Sequence, residues 1–304
     1  MSLFQAHARL AGKTAVLIGG ATGIGRAIAL KFAEAGVNMA CCDNDEEGVA
    51  AIVPEAEAHG VSMLSVYADV CDIAALDAFF DRVEATFEHI DILVNIPGGA
   101  IRGKFVDSTR ENDDDAIRLN YGYVLDSTRR MVPLMRKSGK GGAIVNFTTI
   151  EAHRGAAGYA VYAGAKAAVT NFTRAIAVEL GKEHIRANIV APDSSPSHSY
   201  AKRQSTDQAR IARYGALSAE VRAQAWRMYV PQQEPPSVDD LANAVLFLVS
   251  DLARSITGQV LHVDGGTSAS LGFIDWPFGD GHGPAPQPET LRRLFDASLG
   301  GQEE

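Results

Sequence analysis

Short, nearly continuous apolar runs punctuate the chain at Ala15–Ile18, Met39–Cys42, Met63–Tyr67, Ile92–Val94, Ala143–Phe147, Ala187–Val190 and Val260–Val263. Runs of this kind suit strands covered on both faces. Amphipathic stretches lie between them, with Gly25–Ala35, Ile73–Phe87 and Asp115–Met135 the clearest. Strand–helix–strand repetition with short links predicts an α/β fold: a doubly wound, seven-stranded parallel sheet with right-handed crossovers and helices on both faces. Two segments break the rhythm. Residues 193–236 hold no strand-like run, and an insertion of that length is usually functional. Trp276–Pro288 is rich in Gly and Pro and predicts no regular element, whereas Glu289–Leu299 sets Leu291, Leu294, Phe295 and Leu299 on one helical face. The expected layout is one catalytic domain over residues 1–268, with a variable flap at 193–236, and an extension over 269–304. The extension's Phe273, Ile274, Trp276 and Phe278 need cover, on the domain or across a subunit boundary.

Composition narrows the class. The chain has 304 residues, 46% of them hydrophobic and 21% charged, which excludes intrinsic disorder and suffices for one large domain. A net charge of -9 argues against nucleic acid as the partner. No apolar run is long enough to cross a membrane, and residues 1–12 lack the layout of a signal peptide, which predicts a cytoplasmic protein. Cys41, Cys42 and Cys71 form neither a disulfide framework nor a zinc motif, so no metal is expected.

The first strand runs into Gly19-Gly20-Ala21-Thr22-Gly23-Ile24-Gly25 and then a helix. Glycines let backbone approach a pyrophosphate, and a helix start offers free N–H groups and a positive dipole end. Strand, glycine turn and helix together predict a Rossmann-type dinucleotide site. Asp43 ends the second strand, eighteen residues past Gly25. A carboxylate there binds ribose hydroxyls and repels a 2′-phosphate, and no Arg or Lys stands at 42–50. The expected cofactor is NAD, not NADP. A helix-capping role for Asp43, alongside Asp45 and Glu46, is the alternative. Asp69-Val70, at the end of the third strand, is placed to meet the adenine.

Candidate chemistry sits after the fifth strand. Thr148-Thr149 ends it, Tyr162 follows thirteen residues beyond Thr149, and Lys166 four beyond that. Tyr and Lys at i and i+4 share a helix face, and an ammonium nearby lowers a phenol's pKa from about 10. Tyr162 is therefore a candidate acid/base.

With Asp91-Ile92-Leu93-Val94-Asn95, Leu119-Asn120, Gly142 to Asn146, Pro192, and Ile256 to Gln259 leading to Val263-Asp264-Gly265-Gly266, these motifs resemble the short-chain dehydrogenase/reductase family over roughly residues 10–268. The resemblance implies hydride exchange between a nicotinamide and an alcohol or ketone, through a tetrad of Asn120, Thr149, Tyr162 and Lys166. In that scheme Tyr162 moves the proton, Thr149 binds the substrate oxygen, Lys166 holds the nicotinamide ribose and tunes Tyr162, and Asn120 holds a relay water. Cofactor contacts are implied at Gly19, Thr22, Gly23, Ile24, Gly25, Asp43, Asp69, Val70, Asn95, Gly98, Tyr162, Lys166, Pro192 and Ser195. A homo-oligomer, dimer or tetramer, is implied through the helices carrying Asn120 and Tyr162.

The chain departs from the family pattern in four places. Thr149 stands for the usual Ser, Ile96-Pro97-Gly98 for Asn-Ala-Gly, Ile18 for Thr, and Asp193 for Gly. Pro97 removes a backbone donor near the cofactor. Asp193 either favours an oxidised, cationic nicotinamide or merely caps a turn. Lys202, Arg203, Arg210, Arg213, Arg222 and Arg227 would attract a carboxylate or phosphate, unless they only solvate helix faces. His153, Arg154, Trp226, Met228 and Tyr229 are candidate pocket walls. The expected substrate is a small secondary alcohol or ketone, cyclic, aromatic or carboxylated. The alternatives are a non-catalytic NAD-binding sensor, or a dehydration or epimerisation through a transient ketone.

Overall fold

The computed structural model describes residues 3–100, 102–193, 216–277, 281–288 and 290–293. Ser195 and the flap cations Lys202, Arg203, Arg210 and Arg213 lie outside the described residues, as do Phe278, Leu294, Phe295 and Leu299.

After a short helix, α1 (Leu3–Ala8), strands and helices alternate. The strands are β1 (Thr14–Ile18), β2 (Asn38–Asp43), β3 (Met63–Tyr67), β4 (Ile92–Asn95), β5 (Gly142–Phe147), β6 (Ile185–Pro192) and β7 (Val260–Val263). They form one parallel sheet in the order β3-β2-β1-β4-β5-β6-β7. All seven match the apolar runs to within a few residues. Successive β1 side chains serve opposite faces: Ala15 and Leu17 join one core cluster, Val16 and Ile18 the other. The first cluster is roofed by α2 (Gly23–Glu34) and α3 (Glu46–Glu57), through Ile28, Phe32 and Ile52, and by α9 (Val238–Val249), through Leu241 and Val245. The second is roofed by α4 (Ile73–Thr86) through Phe79 and Phe80, by α6 (Tyr123–Ser138) through Tyr123 and Met131, and by α7 (Ala160–Glu179) through Val169. Chain order reverses between β1 and β4, and the crevice at such a reversal is where this architecture binds ligands.

The expected helix at Asp115–Met135 is broken. Helix α5 (Arg110–Ile117) passes through a π turn, Arg118–Gly122, before α6 begins. Asn120 Nδ2 donates to the carbonyl of Ala116 at 2.9 Å, competing with the backbone bond that an α-helix would make there.

Within the flap, α8 (Ala219–Tyr229) is a helix capped by Ser218, and α9 follows. Past β7 come α10 (Thr267–Ser270) and then β8 (Ile274–Trp276) paired antiparallel with β9 (Gly281–Gly283). That hairpin corrects the expectation of no regular element at Trp276–Pro288: ladder pairing uses backbone groups, which Gly-rich sequence still has, and Trp276 Nε1 adds a bond to Gly283 O at 3.1 Å. Strand β8 packs against α8 of its own chain. Cys41 and Cys42 are buried, and Cys71 is exposed.

Candidate active site

The crevice at the chain reversal is a cleft of about 850 Å3. Gly19, Thr22, Ile24, Gly25, Asp43, Asp69, Val70, Gly98 and Tyr162 all line it.

At one end backbone does the shaping. A Cβ on Gly25 would stand 1.7 Å from Gly19 O, so only glycine lets α2 start hard against the turn. Thr22, the N-cap of α2, makes no capping bond to that helix. Its hydroxyl donates instead to Asp43 Oδ2 at 3.2 Å, and Ala21 N donates to the same oxygen at 3.0 Å. The first N–H groups of α2 keep their anion-binding capacity at the cleft. Asp43 is not the cap of α3; Asp45 is, accepting from Gly48 N at 2.8 Å. Asp43 thus pins the glycine turn while standing in the cleft wall. Asn44, which the sequence reading passed over, also lines the cleft and donates to Asp69 Oδ2 at 3.2 Å. Its only signal was its place after Asp43 at a strand end. Arg26, just past the turn, pairs with Glu55 on α3.

At the other end four distant segments converge. Lys166 is buried, and its Nζ donates to Pro97 O and Phe147 O, both at 3.1 Å. Burial pulls its pKa down to about 7. Asn120 is buried too; its Nδ2 donates to Gly99 O at 2.9 Å and its Oδ1 accepts from Gly99 N at 3.0 Å. A Cβ on Gly98 would stand 2.7 Å from Lys166 Nζ and 2.8 Å from Asn120 Oδ1, so the absence of a side chain lets both groups gather under the cleft wall. The Asn120 side chain is thereby committed to protein partners, beside the lysine rather than on the cleft lining.

Pro97, whose missing N–H looked costly, contributes through its carbonyl. That oxygen accepts from Lys166 and from Tyr123 Oη, the latter at 2.8 Å. Tyr123 is fully buried, and burial pushes its phenol pKa far up, which keeps it a donor. Nothing in an apolar helix pattern singled it out.

The structure does not gather every predicted residue. Asn95 is interior: Nδ2 donates to Asn146 Oδ1 at 2.8 Å and Oδ1 accepts from Ser127 Oγ at 2.7 Å. Gly23 starts α2, and Pro192 ends β6 opposite Val263. Thr149, almost fully buried, caps the 3-10 turn Ile150–Ala152, and its hydroxyl is bonded to the Glu151 carboxylate. His153 packs edge-on against His262, ring centroids 5.0 Å apart, and burial lowers its pKa. Asp193 accepts from Tyr229 Oη at 2.6 Å.

A family model described as enoyl-(acyl carrier protein) reductase matches residues 19–268. The chain belongs to the short-chain dehydrogenase/reductase family. This is a family of oxidoreductases that bind a nicotinamide cofactor and act on small molecules. Among curated members, the 3-oxoacyl-[acyl-carrier-protein] reductase FabG of Staphylococcus aureus (strain Mu50) is 34% identical over 256 residues, covering 84% of this chain and 97% of its own. Among solved members, carveol dehydrogenase from Mycobacterium avium in complex with NAD superposes with a TM-score of 0.76 at 27% identity, covering 86% of this chain and 99% of its own. A putative NAD(P)-dependent gluconate 5-dehydrogenase from Beutenbergia cavernae, with bound NADP at low occupancy, superposes at 0.75 with 30% identity, covering 86% and 98%. Both dinucleotides therefore occur on this scaffold. Among the described residues no helix is long and apolar enough to cross a membrane, and no group of metal-ligating side chains gathers.

Proposed function

We propose that the chain is an NAD-dependent dehydrogenase or reductase that interconverts a secondary alcohol and a ketone. The observation that carries this reading is the convergence at Gly98: Tyr162 stands in the cleft wall, and Lys166 Nζ and Asn120 Oδ1 pack beneath it. The nucleotide fits the opposite end, where the uncapped start of α2 suits a pyrophosphate and Asp43 suits unphosphorylated ribose. When bound, NAD accepts hydride from the carbinol carbon or, reduced, returns it.

The chain's own part is proton handling and alignment. Tyr162 takes the alcohol proton at Oη and gives it back in the reverse direction. Lys166, when charged, stabilises the phenolate, and a pKa near 7 lets it gain or lose a proton around neutrality. The Thr149 hydroxyl holds the substrate oxygen. Asn120 fixes Gly99 and so the wall under which Lys166 lies. The NAD preference rests on Asp43 and on the lack of Arg or Lys at 42–50. The cyclic alcohol named for the M. avium relative supports a small cyclic or aromatic substrate over a long chain. A carboxylated substrate stays within the proposal through Arg222 and Arg227 of the flap. A homo-oligomer also stays within it: Val178, on α7, is 83% exposed and offers apolar area to a second copy.

The test is a panel of cyclic and aromatic secondary alcohols with NAD or NADP, followed by NADH absorbance. We expect NAD-linked oxidation, and Tyr162→Phe to lose roughly 10²–10⁴-fold in turnover while binding NADH as before. NADH binding without turnover of any alcohol would leave a sensor and defeat the enzyme reading. A Tyr162→Phe variant of near-normal rate would defeat the proton assignment.

A further inference from the structure

Three aromatic side chains line the cleft: Phe105, Tyr159 and Tyr162. The proposed chemistry uses Tyr162 alone. Tyr159 is the N-cap residue of α7, but its side chain makes no capping bond. Its ring stands beside that of Tyr162, with centroids 6.2 Å apart and planes tilted by 56°. Gly158 shows how that ring is held. Its φ of +83° lies in the left-handed region, and a Cβ there would stand 3.0 Å from Arg102 Cγ. Glycine therefore lets the Arg102 stem pass, and the guanidinium sits over the Tyr159 ring, 5.6 Å from its centroid. Gly103 N donates to Gly158 O at 3.1 Å and ties the segment after β4 to the same place.

That segment brings Phe105 to the lining. Phe105 opens the 3-10 turn Phe105–Asp107 and is 62% exposed. Val106 beside it is 84% exposed but does not line the cleft. An uncovered apolar ring on a cleft wall is stabilised by an apolar ligand that covers it. The charges on the lining add a second constraint. Lys104 is the one cation there among the described residues, while Asp107, Asp113 and Asp115 come from the same stretch of chain. One ammonium among three carboxylates leaves the local field negative, which disfavours an anionic substrate. Arg222 and Arg227 are not on this lining.

We propose that Phe105 and Tyr159 are specificity-determining residues that grip the ring of an uncharged, ring-bearing alcohol or ketone beside Tyr162, and that Arg102 and Gly158 hold the Tyr159 ring in place for it. The inference rests on the reading of Tyr162 as the proton carrier. It narrows the substrate class of that site: apolar contact with two side chains favours a ring, and the carboxylates of the lining select against an acid.

The test uses the full chain, NAD and three probes: the uncharged ring-bearing alcohol of the panel that the unaltered protein oxidises fastest, a ring alcohol of like size that carries a carboxylate, and 2-butanol. The uncharged ring alcohol should lead both others in kcat/KM by about tenfold or more. Phe105→Ala and Tyr159→Ala should each raise its KM by roughly tenfold, the scale of one aromatic contact, with the loss in KM rather than in kcat or in Kd for NADH. In both variants 2-butanol, which has no ring to grip, should lose less than the ring alcohol. Tyr159→Phe keeps the ring and should recover most of the loss. Phe105 is exposed, so its replacement should leave the fold intact. An unchanged KM in either alanine variant, equal losses on 2-butanol and the ring alcohol, a Tyr159→Phe variant no better than Tyr159→Ala, or a carboxylated alcohol oxidised as well as the uncharged one would each overturn the proposal. Loss of turnover in Tyr162→Phe beside normal alanine variants would defeat this inference and leave the enzyme reading standing. No turnover by the unaltered protein on any alcohol would defeat both.

Discussion

The two ends of the cleft are built by different means. The nucleotide end is local: one glycine turn, the helix it opens and the ends of the next two strands supply Gly19, Thr22, Gly25, Asp43 and Asp69. Its binding groups are largely backbone, and its one buried carboxylate is satisfied by that backbone through Ala21 N. The chemical end is assembled from afar. Pro97 and Gly98 follow β4, Asn120 lies in a π turn, Phe147 ends β5 and Lys166 comes from α7. Here side chains carry the proposed chemistry and an amine is buried among carbonyls. Each end is vulnerable in its own way: the first to changes in shape and in the carboxylate of Asp43, the second to the energetics of an amine kept out of water.

The largest expected effect breaks the chemical end. Lys166→Met removes the amine proposed to tune Tyr162 and should reduce turnover to near background. Its effect on stability has a definite sign. The folded pKa is about 7, against 10.5 for the free side chain. Between those values the unfolded chain binds more protons, so the stability of the unaltered protein rises with pH, by at most about 1.4 kcal/mol per pH unit from this group. Below pH 7 both states carry the proton and the burial penalty is at its full size; above 10.5 both are neutral and it is gone. Chemical denaturation of both proteins at intervals from pH 6 to 10 should show the gap between them closing as pH rises. A gap independent of pH would mean that the lysine is not held in a charge-averse place.

The same contrast explains what could be read from sequence. The seven strands were legible because each is a short, nearly continuous apolar run, and the glycine turn because it follows a strand and opens a helix. Tyr162, Lys166, Thr149 and Asn120 were picked out by motif, yet their surroundings were not. The role of Pro97 is an example: the proline reads as a lost N–H, while its carbonyl, gripped by Tyr123 and Lys166, exists only once β4, α6 and α7 are packed. The π turn at Arg118–Gly122 was hidden because helical periodicity runs straight through it. Asn95 is a residue whose motif gave no sign of its side-chain partners: its amide completes a buried polar ladder with Asn146 and Ser127. Glu151 carried no pattern, and its link through Arg154 to Tyr229, 78 positions further along the chain, exists only once the chain is folded.

A middle-sized effect sharpens the nucleotide end. Asp43 has two tasks, pinning the turn and facing the ribose, and two variants separate them. Asp43→Asn keeps an acceptor for Ala21 N but removes the charge that repels a 2′-phosphate. It should raise the NADP-to-NAD ratio of kcat/KM by about tenfold, chiefly through KM, the scale of one charged hydrogen bond. Asp43→Ala should shift the ratio similarly and weaken both dinucleotides, because the turn loses its anchor. Steady-state kinetics with each dinucleotide decides this, and an unchanged ratio in both variants would show that Asp43 serves the turn alone.

The smallest effect returns to the hydroxyl at the chemical end. Thr149→Ser keeps the oxygen and deletes a methyl from a nearly buried position. The backbone there is extended, with φ -163° and ψ 161°, which serine adopts without strain. What changes is stiffness: threonine's branched Cβ narrows χ1, and serine's does not. The kcat/KM should stay within roughly threefold of the parent, since a deleted methyl and a freer χ1 are all that is lost. Thr149→Val keeps the shape and loses the hydroxyl, and should cost roughly 10²–10³-fold, as for removal of a transition-state donor. If serine and valine proved equally mild, the substrate oxygen would take its hydrogen bond from elsewhere in the cleft. If serine alone were severe, the methyl rather than the hydroxyl would be the feature that selects threonine here. The expected asymmetry, valine severe and serine mild, is what a positioned donor produces and what packing alone does not.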